Sequence, residues 1–252
     1  MKSERIPVKS FSADNGFIGK MQKLVREEVL PYQYNILNDA IPGIEKSHAI
    51  ENIRLAAEKL RGKDVKPDEF YGMVFQDSDV AKWIEAAAYA LAAGEDPELE
   101  KAVDETIQLY GASQHEDGYV DSYFTVKCPD KMWTNICDAH ELYCAGHMME
   151  AAVAYYEVTG KRELLDIMSK SADCIYEQFM KKNTRAYPGH PEVELALMRL
   201  WRATGNEKYK ELAKHFVDVR GQAPNYFVEE KKNRGWNVWD LSLIHISEPT
   251  RR

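Results

Sequence analysis

The chain has 252 residues, 44% of them hydrophobic, which is long enough to bury a sizeable core in one large domain or two small ones. Its 33 basic and 41 acidic residues give a net charge of -8 with no basic run, which argues against nucleic-acid binding. No apolar stretch reaches the ~18 residues of a membrane-spanning helix, and the N-terminus is not typical of a secretory signal. The 4 cysteines are too few for a disulfide scaffold, so we expect reduced thiols in a cytoplasmic protein.

Apolar residues recur at helical spacing through most of the chain, whereas the long alternating runs typical of strands are absent. The pattern therefore predicts an all-α fold with about eight helices. In chain order, the apolar stripes lie in residues 17–25, 50–60, 80–91, 99–110, 142–156, 165–179, 193–200 and 209–217.

A weak internal repeat runs through these helices. Each copy has a helix rich in small residues, a glycine turn and a second helix that begins with polar residues, and Gly94, Gly160 and Gly205 mark the turns. The glycines are unevenly spaced, unlike those of a tetratricopeptide solenoid, because long connections rich in aromatic residues lie between some copies. This arrangement favours a helical toroid with a concave site over a plain solenoid that binds proteins.

Two histidines stand directly before predicted helices. His140 follows a polar loop, and His190 precedes Pro191, which is typical of a first helical position. An imidazole beside helix N-terminal donors suits an oxygen-rich ligand, although a histidine that only caps its helix is the alternative. Because both helices belong to the same set in the repeat, we expect the two histidines to face one cavity.

The other chemical candidates are weaker. Cys137, His140 and Cys144 would share a helix face and could bind zinc, but no fourth ligand is apparent, so we favour cysteines of the core. A second set combines carboxylates with aromatic rings, as many sugar sites do, although its tryptophan also fits a core stripe. This set is Asp79, Trp83, Asp117 and Tyr119. The sequence has no nucleophile elbow, phosphate loop or dinucleotide fingerprint.

Five strings of the sequence resemble the N-terminal part of the β-L-arabinofuranosidases of glycoside hydrolase family 127, from about residue 5 to residue 240. These strings are PYQYNILND, DSDVAKWIEAAAYAL, DGYVDSYFT, DAHELYCAGHMMEAAVAYYEVTGKRELLD and YPGHPEVELALMRLW. The resemblance implies an (α/α)6 barrel followed by β-sandwich domains, and retaining hydrolysis of terminal β-L-arabinofuranosides. We expect residues 1–241 to form an incomplete barrel of about eight of twelve helices. Residues 242–252 resemble a translated sequencing adapter, and we treat them as a non-native tail.

The resemblance also implies a mechanism that is unusual among retaining glycosidases. In this family, a zinc-bound cysteine is the nucleophile and a glutamate is the acid/base. We expect these residues beyond the end of this chain, so we assign it no catalytic residue, no metal ligand, no bound zinc and no hydrolysis by itself. The resemblance implies sugar contacts at Gln33, His140 and His190, and weaker contacts at the set of four named above. The expected ligand is an oligosaccharide that contains arabinofuranose.

Two alternatives remain open at this stage. The chain could belong to another (α/α)6 sugar enzyme, such as an unsaturated glucuronyl hydrolase or a sugar epimerase. It could also be a non-enzymatic helical scaffold that binds a peptide or a glycan. The sequence leaves open a homodimer formed through domains that this chain does not contain.

Overall fold

The computed structural model describes residues 6–10, 13, 16–182, 186–223 and 226–235. These residues form helices joined by turns and loops, with no strand among them, so the all-α prediction is confirmed. The α-helices are α1 (Gly16–Leu24), α2 (Leu30–Leu37), α3 (Ala49–Leu60), α4 (Asp77–Ala93), α5 (Pro97–Ala112), α6 (Ser122–Lys127), α7 (Glu141–Thr159), α8 (Glu163–Tyr176), α9 (Val193–Thr204), α10 (Glu207–Gly221) and α11 (Tyr226–Arg234). The predicted tail at 242–252 lies outside the described residues.

Each of the eight predicted stripes falls on a helix, but the described residues contain three α-helices more than the stripes indicate. The additional helices are α2, the short α6, and α11. Proline usually interrupts a helix, yet the chain stays helical from α1 into α2 through a wider π-type turn at Val25–Val29. Leu30 closes that turn by donating its N–H to Val25, and Pro31 follows in the first turn of α2, where a proline is tolerated.

The helices form two layers. The inner row runs from α2 through α4 and α7 to α9, and the outer row contains α3, α5, α8 and α10. The chain passes from one row to the other at successive hairpins, which is the arrangement of an (α/α)6 barrel that is not complete. Gly160 and Gly205 end α7 and α9 in left-handed conformation, as the glycine turns of the repeat predict. Asp96 caps α5 by accepting the Leu99 N–H at 3.1 Å.

Helix α7 is at the centre of the core. Most of its residues are buried, among them Leu142, Met148, Met149 and Tyr155, because α4, α8 and α9 all pack against it. Its sequence is rich in small residues and apolar nearly all round, as expected of a helix with neighbours on several sides. Because α7 and α9 pack against each other in the inner row, the loops that precede them begin side by side.

Helix α1 has no buried residue. Phe17, Ile18 and Met21 are exposed and line an open groove of about 610 Å³ against Ala86 and Ala90 of α4. The predicted helix is therefore confirmed, but its apolar stripe has no covering element among the described residues. Among those residues, no helix has both the length and the apolar character needed to cross a membrane.

Candidate functional site

The loops before α7 and α9 bring His140 and His190 together. Their imidazole centroids are 5.1 Å apart, with 40° between the ring planes. The structure thus brings the two histidines together, and that they face one ligand cavity stays a prediction. One detail of the prediction is wrong: α9 begins at Val193, so Pro191 lies in a turn before the helix rather than in its first position.

Two glycines allow this close approach. A Cβ at Gly189 would overlap the backbone carbonyl oxygen of Cys137, so only glycine lets the His190 loop pack against the His140 loop. On α7, a Cβ at Gly146 would lie 2.9 Å from the Glu192 Cγ and 3.1 Å from the Val193 nitrogen. Glycine at both positions therefore brings α7 and α9, and with them the two histidines, to the observed separation.

The backbone fixes which nitrogen of His140 carries the proton. His140 has a left-handed conformation with φ 62, and its Nδ1 lies 2.6 Å from the carbonyl oxygen of Asp138. A carbonyl oxygen only accepts hydrogen bonds, so we assign the proton of the neutral ring to Nδ1. The Nε2 lone pair of His140 is then available to accept a hydrogen bond from a ligand hydroxyl.

Aromatic rings surround the two histidines. The Phe75 ring lies 5.3 Å from the His140 ring. The Tyr143 ring lies 5.0 Å from the His190 ring, 5.6 Å from the His140 ring and 4.5 Å from that of His147. We call Phe75, Lys82, His140, Tyr143, His147 and His190 the histidine cluster.

Lys82 of α4 is the cation of the cluster. Its ammonium donates to the Tyr143 hydroxyl at 3.1 Å and to the Ser78 hydroxyl at 3.0 Å, and lies 5.1 Å from the centre of the Tyr143 ring. Asp79, a predicted sugar contact, lies 3.9 Å from Lys82, and burial raises the pKa of its carboxyl while Lys82 lowers it. Asp79 therefore adjoins the cluster through Lys82.

Two imidazoles of the cluster, those of His147 and His190, are shifted toward the neutral form. Burial, then Lys82, then His190 lower the pKa of His147 to about 4. The pKa of His190 is also lowered, first by burial and then by the nearby His140. The Glu192 carboxylate lies 3.5 Å from His147 Nδ1, but this contact does not outweigh burial and Lys82. A neutral imidazole has one donor and one acceptor, which suits uncharged hydroxyl groups.

Glu141 is a buried carboxyl group directly behind His140. Its Oε1 and Oε2 accept the backbone N–H of Trp133 at 3.0 and 3.1 Å, and Oε1 also accepts the Tyr119 hydroxyl at 2.7 Å. Burial raises the pKa of Glu141 to about 7, although these hydrogen bonds act in the opposite direction. No local sequence pattern singles out Glu141, because its partners lie 8 and 22 residues away along the chain.

Tyr119 and Asp117 lie away from the histidine cluster. Tyr119 is buried and its hydroxyl donates to Glu141, so it contacts a neighbour of His140 and not the histidine cluster itself. Asp117 and Tyr119 line a cavity of about 420 Å³ together with Trp133, and no member of the histidine cluster lines that cavity. The structure therefore does not join these two predicted residues to the histidines.

Trp83 is a core residue. Its side chain is buried, its indole N–H donates to the Leu30 carbonyl at 3.1 Å, and its ring stacks on Tyr34 with centroids 4.6 Å apart. It has neither a free face nor a free N–H for a sugar, so the prediction of a sugar contact at Trp83 is wrong. Gln33 is exposed on α2, whose packing is mainly against α4, and the structure does not join it to the histidine pair.

Four members of the cluster were missed in the sequence, although a signal for three of them was present. Tyr143 and His147 follow His140 at i+3 and i+7 on α7, so all three lie along one helix face. Lys82 follows Asp79 at i+3 on α4, which places it on the same face as a residue that was chosen. Phe75 lies in the turn before α4, and no periodic pattern marks it.

The chain matches the β-L-arabinofuranosidase GH127 catalytic domain over residues 12–242, which is most of its length. It belongs to the GH127 family. A non-reducing end β-L-arabinofuranosidase of Bifidobacterium longum is 41% identical over a match that covers 89% of this chain and 37% of that protein. The chain thus spans little more than a third of this GH127 relative.

Solved structures of GH127 proteins share the fold. A GH127 β-L-arabinofuranosidase from Geobacillus stearothermophilus T6 superposes with a TM-score of 0.77 at 51% identity, over 89% of this chain and 35% of that one. A second GH127 β-arabinofuranosidase gives a TM-score of 0.76 at 31% identity, over 89% of this chain and 36% of that one.

The described residues do not fit a zinc site. They contain no group of three or more histidine, cysteine, aspartate or glutamate side chains that could hold a metal ion. Cys137 lies in the loop before α7 rather than on the helix, so it does not share a helix face with His140 and Cys144 as the spacing suggested. Cys144 is buried, and burial raises the pKa of its thiol well above the usual value. We derive no step through zinc from these residues.

Proposed function

We propose that this chain is the sugar-binding part of a glycoside hydrolase that removes terminal β-L-arabinofuranosyl residues from glycans. The observation that carries the proposal is the His140–His190 pair, with centroids 5.1 Å apart, in a chain of the GH127 family. The relatives named above are arabinofuranosidases, and the chain spans 35–37% of their lengths. We therefore assign ligand binding to the cluster and leave bond cleavage to residues outside it.

The chemistry of the cluster supports a neutral sugar as the ligand. The lowered pKa values of His147 and His190 keep these rings uncharged near neutral pH, so hydroxyl groups can meet both donors and acceptors. The rings of Phe75 and Tyr143 provide apolar surface for the C–H faces of a sugar, as is usual in ligand sites with few polar groups. His140 Nε2 is the acceptor whose orientation the protein fixes most firmly.

Gln33 enters the proposal on the resemblance alone. We propose that it contacts the same sugar as the histidines, because PYQYNILND is one of the strings that match the family. Asp79 is a secondary candidate because Lys82 connects it to the cluster. Asp117 is left out, since it lines the other cavity.

A binding experiment tests this function. Calorimetry with methyl β-L-arabinofuranoside is compared for the wild type, His140→Ala, His190→Ala and the control His215→Ala, whose histidine is on α10 outside the cluster. Loss of a hydrogen bond costs about 0.5–1.5 kcal/mol, so we expect each cluster variant to bind about threefold to tenfold more weakly and the control to be unchanged. Equal affinities in all four proteins would contradict the proposal.

A peptide-binding scaffold and another type of sugar enzyme give different results. A scaffold would show no saturable binding of the arabinofuranoside at millimolar concentration. An enzyme for acidic sugars would bind a glucuronide more tightly than the arabinofuranoside. We expect the reverse order, because the cluster carries neutral imidazoles and one lysine that already donates to Ser78 and Tyr143.

A further inference from the structure

The loop at 133–140 is closed by a side chain that does not face the ligand site. Glu141, the first residue of α7, accepts the backbone N–H of Trp133 through both carboxylate oxygens, at 3.0 and 3.1 Å. This contact joins the beginning of the loop to the residue that follows its end. The Tyr119 hydroxyl, at 2.7 Å from Oε1, holds the same carboxyl group from the side of the core.

Both ends of this loop adopt a backbone conformation that bulky residues rarely take. Trp133 has φ 63 and His140 has φ 62, which are left-handed values. Such conformations are strained for residues other than glycine and persist only where the surrounding contacts impose them. The Glu141 carboxyl provides such a contact at Trp133, and the Asp138 carbonyl provides one at the His140 ring.

The loop also sets the position of the second histidine. The carbonyl of Cys137, in the middle of the loop, packs so closely against Gly189 that no side chain fits there. His190 is the next residue, so a shift of the 133–140 loop would change the packing contact beside His190. The two imidazoles therefore depend on one loop, and that loop depends on the Glu141 contact.

We propose that Glu141 is a positioning residue for the histidine pair: its carboxyl group holds the 133–140 loop against α7 and so fixes where His140 and His190 stand. Glu141 itself does not touch the ligand, because its carboxyl is buried among Trp133 and Tyr119. The inference rests on the proposed function only for the identity of the ligand.

The variant Glu141→Gln tests the proposal because it keeps the size of the side chain. The comparison is made at pH 8, where Glu141, whose pKa burial raises to about 7, is ionised. Each carboxylate oxygen then accepts a donor, whereas an amide replaces one of these acceptors with an NH₂ group that faces an N–H or O–H. We expect the His140 Nδ1–H tautomer to be lost and the ring-proton NOE between His140 and His190 to disappear, both measured by NMR on histidine-labelled chain. If the competent arrangement falls to about a tenth of the population, methyl β-L-arabinofuranoside binds ~10-fold more weakly.

Two further variants complete the test. Glu105→Gln makes the same chemical change at an exposed position of α5 whose carboxylate pairs with Lys101, and it should leave every readout unchanged. Tyr119→Phe removes only one of the donors to Glu141, so it should move the same readouts in the same direction by a smaller amount, even where Glu141→Gln fails to fold by circular dichroism.

The outcomes separate the inference from the proposed function. Loss of sugar binding in Glu141→Gln with an unchanged tautomer and NOE would overturn the inference, as would wild-type behaviour in all readouts of Glu141→Gln. A third outcome is possible: Glu141→Gln loses the His140 tautomer and the NOE, but the wild type itself binds no arabinofuranoside. That result would support the positioning role of Glu141 and contradict the proposed function. Recovery of both signals in Glu141→Asp is not expected, because the shorter chain cannot reach Trp133 and Tyr119 together.

Discussion

Glu141→Gln should change how the stability of the protein depends on pH. Burial raises the pKa of Glu141 to about 7 in the folded chain, whereas the usual value is 4.5. The folded protein therefore binds more protons than the unfolded chain between these two pH values, and the free energy of unfolding falls as the pH rises through that window. The stabilisation from this group is complete below pH ~4.5 and is lost as the pH passes ~7.

The size of the effect follows from the two pKa values. At about 1.4 kcal/mol per pKa unit, the difference between 4.5 and about 7 corresponds to ~3 kcal/mol. The neighbouring Asp121, whose pKa is raised by burial and then by Asp77, is present in both proteins, so its own contribution cancels when the variant is subtracted from the wild type. A glutamine does not titrate, so this part of the pH dependence should be missing from the variant.

Urea unfolding at a series of pH values from 4 to 8 measures the effect in the wild type and in Glu141→Gln. The free energy of unfolding of the wild type minus that of the variant should decrease by ~3 kcal/mol from the acidic to the alkaline end. Glu105→Gln, at an exposed position, should show no such decrease. A difference that stays constant, or that increases with pH, would refute the reasoning, because an increase would mean that the hydrogen bonds outweigh burial.

Three other changes have direct consequences. Gly189→Ala should destabilise the protein by ~1–3 kcal/mol in urea unfolding and weaken sugar binding, because the added methyl group overlaps a backbone carbonyl. Gly221→Ala, which has open space around it, should have neither effect, and equal stability of the two variants would contradict the close packing. Lys82→Met should raise the pKa of His147 from about 4, measured by NMR titration, and an unchanged pKa would exclude the electrostatic effect of Lys82. Trp83→Phe should lower stability by ~1–3 kcal/mol without weakening sugar binding of the folded protein, and a selective loss of binding would place Trp83 back in the site.

Helical periodicity predicted the helices whose sequence carries a long, uninterrupted apolar repeat, whether or not that repeat is buried. The eight stripes found α1, α3–α5 and α7–α10, because a 3.6-residue repeat of apolar side chains is visible without knowledge of neighbours. Helix α6 has only six residues, which is too short to show a repeat. Helix α2 was hidden by Pro31, whose tolerance depends on the π-type turn that precedes it and not on a local sequence pattern.

The histidine pair was predictable because each member precedes an equivalent helix of the repeat. His140 and His190 needed only the assumption that equivalent hairpins present equivalent ends to one cavity. Glu141 was not predictable, because its burial and its partners Trp133 and Tyr119 arise from the folding of a loop. Trp83 illustrates the opposite error. It was predicted to contact the sugar, although its place in an apolar helix stripe already indicates the buried core position that the structure shows.

Titration of the histidine-labelled chain with methyl β-L-arabinofuranoside tests directly whether His140 and His190 bind one sugar together. The protein has 7 histidines, so each imidazole can be followed by NMR and assigned by single substitutions. We expect the signals of His140 and His190 to shift together with one dissociation constant, while the chemical shifts of His48 and His215 do not change. Saturable shifts elsewhere with none at His140 and His190, or no shifts at all, would contradict it.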